Sequence, residues 1–406
     1  MTWATVDSFN GNRSSPDSVA HRQCPLCGGD ATRPLLELED FQFFTDSREE
    51  PKRVGVRSVQ CRTCFLMFMN PCYSRYGFDV LFAQAEQSYG ASVGRYAEQM
   101  RWLQARGLLA SGSGLLDVGC YDGGFLAELP AGVRRMGVDI DRHAIDRAQA
   151  RLGGDAVLVC GDFENFELEE QPDAIVMFHV LEHLPRPVEV LRKLRALAGP
   201  DTRLIVEVPV VERGDTNDLV GFLSVQHLTH FSTHTLERCM LAAGWELVEA
   251  VDIPGYNGRR VVGAPGASAP TSTGEPRDVA SAHRCLEAWH AAAAGVGARI
   301  ERLRGAPRVA VWGAGLHTEY LYQRTAVFQA DPQREYVLVD SDPVKQGGSW
   351  RGIPIGEPAS LADLVTGDVP LLVSTYGSQD AISDAAASIG IPEASIVRLY
   401  GTVSVY

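Results

Sequence analysis

GLLDVGCYDGGFLAEL, residues 114–129, decides the fold. An apolar strand runs into a turn carrying Asp117, Gly119, Asp122, Gly123 and Gly124 and then into a helix. Glycines at such a turn let the backbone approach a bound ligand closely. Downstream, RRMGVDI (134–140), AVLVCGD (156–162), AIVMFHV (174–180) and RLIVEVP (203–209) read as further strands. HAIDRAQARL (143–152) and PVEVLRKLRAL (187–197) lie between them as helices. Strands alternating with helices imply an α/β domain with a mostly parallel sheet covered on both faces.

The chain has 406 residues, room for two or three domains. Lys and Arg number 37 against 51 Asp and Glu, a net charge of −14. So acidic a chain is a poor partner for a phosphate backbone, so nucleic acid is not expected as the main partner. No run of about 18 apolar residues is present, so no membrane span is expected. Residues 1–20 are polar and expected to be loose, without the apolar centre of a signal peptide, which points to the cytoplasm.

Three units follow: residues 1–75 with paired cysteines, residues 76–263 with the alternating pattern, and residues 277–406 with a second, smaller α/β pattern. Residues 93–108 have a helical spacing, with Val93, Tyr96, Met100 and Leu103 on one face. APGASAPTSTGEP (264–276) reads as a linker, and 277–304 as a helix before the strand-glycine run RVAVWGAG. Of nine cysteines, Cys24, Cys27, Cys61 and Cys64 form CPLC and CRTC pairs. Two such knuckles make a closed tetrahedral zinc site, which is structural because no position is left for water.

The strand after the glycine turn ends at Asp139, twenty residues beyond Gly119, where an acid can take both hydroxyls of a ribose. The turn lacks the GxGxxG of a pyrophosphate site, and CGDFENF puts Asp162 and Phe163 where an adenine amino group and ring would lie. Both features favour S-adenosylmethionine. The run DVGCYDGG, GVDID, GDFENF and FHVLEHL resembles a class I S-adenosylmethionine-dependent methyltransferase. The resemblance implies Gly119 and Gly123, flanked by Asp117 and Tyr121, around the aminoacyl part. It implies Asp139 and Ile140 at the ribose, Asp162 and Phe163 at adenine, and Phe178 and His179 lining the methyl-donor pocket. Glu182 and His183 in HVLEHL suit a capping or packing role at least as well as chemistry.

QHLTHFS (226–232) supplies His227 as a base, with Gln226 and His230 beside it. The whole order, zinc segment, methyltransferase core and small α/β domain, resembles nucleotide-sugar C-methyltransferases of deoxysugar pathways. Of that family's active-site run, His227, Phe231 and Ser232 match, while Ser224, Gln226 and His230 depart. LVDSDPVKQGGSWRGIPI (338–355) matches a second family pattern. The resemblance implies carbon methylation beside a 4-keto group through an enolate, with His227 as base and Tyr89 as a phenol partner. Arg259, His317 and Lys345 are candidate contacts for a nucleotide sugar. A glutamate beside the base would raise its basicity where Gln226 can only orient it, so methylation of a hydroxyl is the alternative. Two further readings, a nicotinamide site at GAG 313–315 with Asp340 and a zinc adaptor with an idle fold, fit the motifs less well.

Overall fold

The computed structural model describes residues 3–5, 19–43, 52–82, 93–213, 226–253, 257–269, 276–328, 333–365 and 368–401. All five expected strands form, as Gly114–Val118, Arg134–Asp139, Ala156–Cys160, Ala174–Phe178 and Arg203–Pro209. They pair in parallel, and their central members are apolar runs buried on both faces. Gly258–Pro265 then adds antiparallel to Arg203–Pro209, and Trp245–Asp252 closes that edge. This is an α/β fold with a mostly parallel sheet.

Gly114–Val118 lies between Arg134–Asp139 and Ala174–Phe178. The chain therefore leaves the central strand toward one edge and later crosses to the other, and the loops diverge between Gly114–Val118 and Ala174–Phe178. Open α/β sheets bind ligands at such a switch point, beyond the carboxyl ends of the strands. Capping positions the flanking helices. Asp141 accepts from the His143 amide to start Arg142–Leu152, and Ser232 with Thr235 forms a capping box for Thr233–Ala242.

The second α/β unit is a six-stranded sheet in the order Ser349–Trp350, Ile353–Gly356, Glu335–Val339, Arg308–Trp312, Leu371–Val373, Ile396–Arg398. The Ser349–Trp350 strand pairs antiparallel and the others in parallel. Its switch point falls between Arg308–Trp312 and Leu371–Val373. The preceding helix spans Pro276–Ile300, and the helix expected at 93–108 spans Val93–Gln104 with Leu103 fully buried.

The cysteine segment is less separate than its sequence implies. Its strands Thr32–Phe43, Lys52–Cys61 and Met67–Met69 are joined by a fourth, Thr229–His230, taken from QHLTHFS. Phe68 and Cys61 belong to the core of the seven-stranded sheet, whereas Leu38 and Met67 share a core with Val309 and Tyr320 of the second unit. Each such side chain contributes about 1.5–3 kcal/mol by leaving water, and here that burial depends on neighbouring units. The expectation of a loose start needs one correction: Ala4 exchanges backbone hydrogen bonds of 3.0 and 2.7 Å with Tyr336. Ile353–Gly356 pairs with Glu335–Val339 only from Leu338 onward, so the backbone of Tyr336 on that side is left for Ala4 to satisfy.

Candidate functional site

Gly119 and Gly123 both have left-handed backbones, with φ of 80° and 73°. A Cβ on Gly119 would lie 2.5 Å from Val180, so no larger residue fits where the two diverging loops meet. Asp139 pins this turn: one oxygen accepts from the Tyr121 amide and the other from the Asp141 amide, each at 2.9 Å. Burial pushes Asp139 above the usual carboxylate range and, helped by Asp139, pushes Asp117 up to about 8. Two neighbouring buried carboxyls of raised pKa are groups that a positively charged ligand would stabilise in their ionised form.

Other candidates around this turn differ in availability. Ile140 is half exposed beside Asp139. Asp162 caps its own turn, accepting from the Glu164 amide at 2.9 Å and the Asn165 side chain at 3.3 Å. Phe163 packs into the core with Phe166, and Phe178 meets Phe125 edge to face at 5.3 Å.

His179 ends the Ala174–Phe178 strand with φ of 58°, a conformation costly for a side chain this large and frequent at functional sites. Its Nδ1 lies 3.2 Å from Glu182, and its Nε2 lies 3.3 Å from Glu207 and 2.6 Å from Arg95. Burial favours the neutral ring, but hydrogen bonds to Glu182 and Glu207 outweigh it and raise the pKa. Against the same burial, His179 and His183 hold Glu182 down at about 2. Arg260 supports Glu207 at 2.8 Å, completing a buried charge network. Sequence reading passed over Glu207 and Arg260; the visible signal was one acid inside the apolar run RLIVEVP.

The loop bearing His227 folds against this network. His183 Nδ1 donates to the Gln226 carbonyl at 2.9 Å, and its ring meets His227 edge to face at 4.9 Å. Gln226 thus acts through its main chain, and HVLEHL supplies a site residue in His183. Burial, followed by neighbouring His183, holds His227 down at about 3, and burial holds His230 at about 4. His230 is buried 6.4 Å from His227, in the strand paired with Met67. Arg22 donates to the carbonyls of Met69 at 3.1 Å and Leu228 at 2.8 Å, and also bonds Pro185. One guanidinium therefore ties the cysteine segment to both histidine loops. Tyr89 lies outside the described residues.

The four cysteine sulfurs lie within 4.8 Å of one another, with Cys24–Cys64 at 3.4 Å and Cys27–Cys61 at 3.6 Å. Thiolates around tetrahedral zinc stand about 3.8 Å apart for a bond of about 2.3 Å, so this donor set fits.

In the second unit, a cavity of about 680 Å³ opens at the switch point. Asp340 repeats the part of Asp139, accepting from the Ala314 amide at 2.7 Å and the Asp342 amide at 2.9 Å. Lys345 reaches Asp340 at 3.2 Å on the same wall. His317 lies against Ser374 and Tyr400, held at about 3 by burial and therefore neutral. Arg259 is elsewhere, paired with Asp252 at 2.7 Å and Glu237 at 3.2 Å on the edge hairpin. The structure brings His317 and Lys345 together and leaves Arg259 apart.

Residues 94–250 match the family model described as a methyltransferase domain. The chain therefore carries a methyltransferase domain. It is 34% identical over 111 residues to ubiquinone biosynthesis O-methyltransferases of Bordetella parapertussis and Bordetella bronchiseptica, covering 25% of this chain and 45% of each relative. The chain thus spans less than half the length of the curated relatives it matches. Among solved structures, the CcbJ methyltransferase of Streptomyces caelestis is 18% identical with a TM-score of 0.38, covering 46% of this chain and 96% of that one.

Asp139→Ala is expected to weaken S-adenosylmethionine affinity by tenfold to about a hundredfold, the roughly 1.5–3 kcal/mol of hydrogen bonds to a charged acceptor. Calorimetric titration checks it. Unchanged affinity would mean that Asp139 serves only the turn.

Proposed function

We propose that the chain transfers a methyl group from S-adenosylmethionine to a small molecule, methylating a carbon beside the 4-keto group of a nucleotide-activated deoxysugar. The observation that carries this reading is that Gly119, bonded through its turn to Asp139, and His179, bonded to Glu182 beside His183 and His227, follow the two strands that flank the switch point, Gly114–Val118 and Ala174–Phe178. The carboxyl pair Asp117 and Asp139 suits a ligand bearing ammonium and sulfonium charges better than a pyrophosphate. The 680 Å³ cavity, with its glycine turn, Asp340 and Lys345, suits the nucleotide end of the acceptor. The four cysteines hold a structural zinc.

S-adenosylmethionine supplies an electrophilic methyl carbon with a neutral thioether as leaving group. The protein's task is to align the nucleophile behind that carbon and take up a proton. His227, neutral near pH 7, removes the proton next to the keto group as the enolate forms, and donors must meet the oxygen as its charge develops. His179, whose pKa is raised by hydrogen bonds to Glu182 and Glu207, lies in the same charge network beside Arg95.

Hydroxyl methylation is the second reading, favoured by the weak basicity of His227 and by Gln226 where a carboxylate would strengthen it. Incubating the protein with labelled S-adenosylmethionine and a panel of 4-keto nucleotide sugars, then assigning the product by NMR, separates them. A new carbon–carbon bond is expected. Label on oxygen, or only on acceptors without a nucleotide, would replace the first reading.

A further inference from the structure

We infer that Glu182, His183 and His227 form a transition-metal site, and that an ion bound there inhibits the enzyme by occupying His227. One carboxylate oxygen and one nitrogen from each ring lie within 4.8 Å of one another. Two histidines and one carboxylate are a recurrent three-ligand set for zinc and related ions, with further positions open to water.

The tautomers favour it. A carbonyl only accepts, so the His183 contact to Gln226 places the proton on Nδ1 and leaves the Nε2 lone pair bare. Backbone carbonyls orient metal-binding imidazoles in this way. His183 Nε2 lies 3.9 Å from Glu182 Oε1, near the roughly 3.4 Å between neighbouring donors around a tetrahedral ion. His227 makes no hydrogen bond to a described residue, and its ring packs edge to face on His183, which keeps its nitrogens uncommitted beside the other two donors.

Glu182 provides an independent sign. Its Oε1 meets His179, but Oε2 is sealed from solvent without a hydrogen-bond partner. A buried carboxylate oxygen left unmatched is costly, and a divalent cation is the ligand class that relieves it. His183 remains 30% exposed, which leaves an entry path and a place for water.

Ligation uses the imidazole lone pair that would otherwise accept the substrate proton, so a filled site and a working base exclude each other. The inhibitory role rests on the proposed reaction; the site itself rests on the donors.

The probe is Co²⁺, titrated into the whole chain with its cysteine-bound metal in place. The expected result is one further equivalent with weak ligand-field absorption and no intense thiolate-to-cobalt band. His183→Gln, at a partly exposed position, should weaken that equivalent by more than about 100-fold at an unchanged melting temperature. His227→Gln should do the same. Methyl transfer should fall as the site fills and return on mild chelation. No further equivalent, a thiolate band, or binding undiminished in both variants would overturn the site. Full methyl transfer with the site filled would overturn the inhibitory role. If no acceptor is methylated even without cobalt, the proposed reaction fails and the titration alone still decides the metal site.

Discussion

Replacing Cys61 with serine is expected to strip the bound zinc and leave the chain largely insoluble. Structural zinc sites contribute about 10–16 kcal/mol in small domains, which exceeds the net stability of most folds. The effect should spread because the cysteine segment shares its burial with both α/β units. Phe68 shares the core of the methyltransferase sheet, Met67 that of the second unit, and the Thr229–His230 strand begins two residues after His227. Metal analysis should find about one equivalent in wild type purified without added metal and none in the variant. Any soluble variant should show a lowered melting temperature. A metal-free protein that melts like wild type would remove zinc from the account of stability.

His227→Ala should slow methyl transfer by about 10²–10⁴-fold, the usual contribution of a positioned general base. If the acceptor is a carbon, the same change should abolish exchange of the substrate's α-hydrogen into heavy water. That exchange should proceed in wild type with S-adenosylhomocysteine bound, because removing the proton does not require a methyl donor. If the acceptor is a hydroxyl, no carbon-bound hydrogen exchanges, although His227→Ala still slows transfer. With its pKa near 3, His227 stays unprotonated across pH 5–8, so its own titration should impose no fall in rate there. A fully active His227→Ala enzyme would move the base to His179, His230 or Tyr89.

The glycine turn and its acid were legible because both depend on neighbours along the chain. Asp139 is found by counting from Gly119, and the turn between them needs glycines whatever packs outside it. The role of His183 was harder to see. HVLEHL looks like the start of a helix, and only the return of the Gln226 carbonyl, 43 residues later, orients that ring.

The sequence by itself determined the order of strands and helices, the two glycine turns with Asp139 and Asp340, and the paired cysteines. Each is set by periodicity or by short spacing, which restrict local backbone geometry. Tertiary structure alone decided that QHLTHFS lends a strand to the cysteine segment, and that Arg260 meets Glu207 under His179. It also decided that Arg259, the next residue, turns to Asp252 and Glu237 instead of the cavity holding Lys345. Successive side chains of a strand face opposite sides of its sheet, so the partners of Arg259 and Arg260 depend on which strands pair and in what register. That choice is made by burial summed over the whole fold, and no short stretch of sequence contains it.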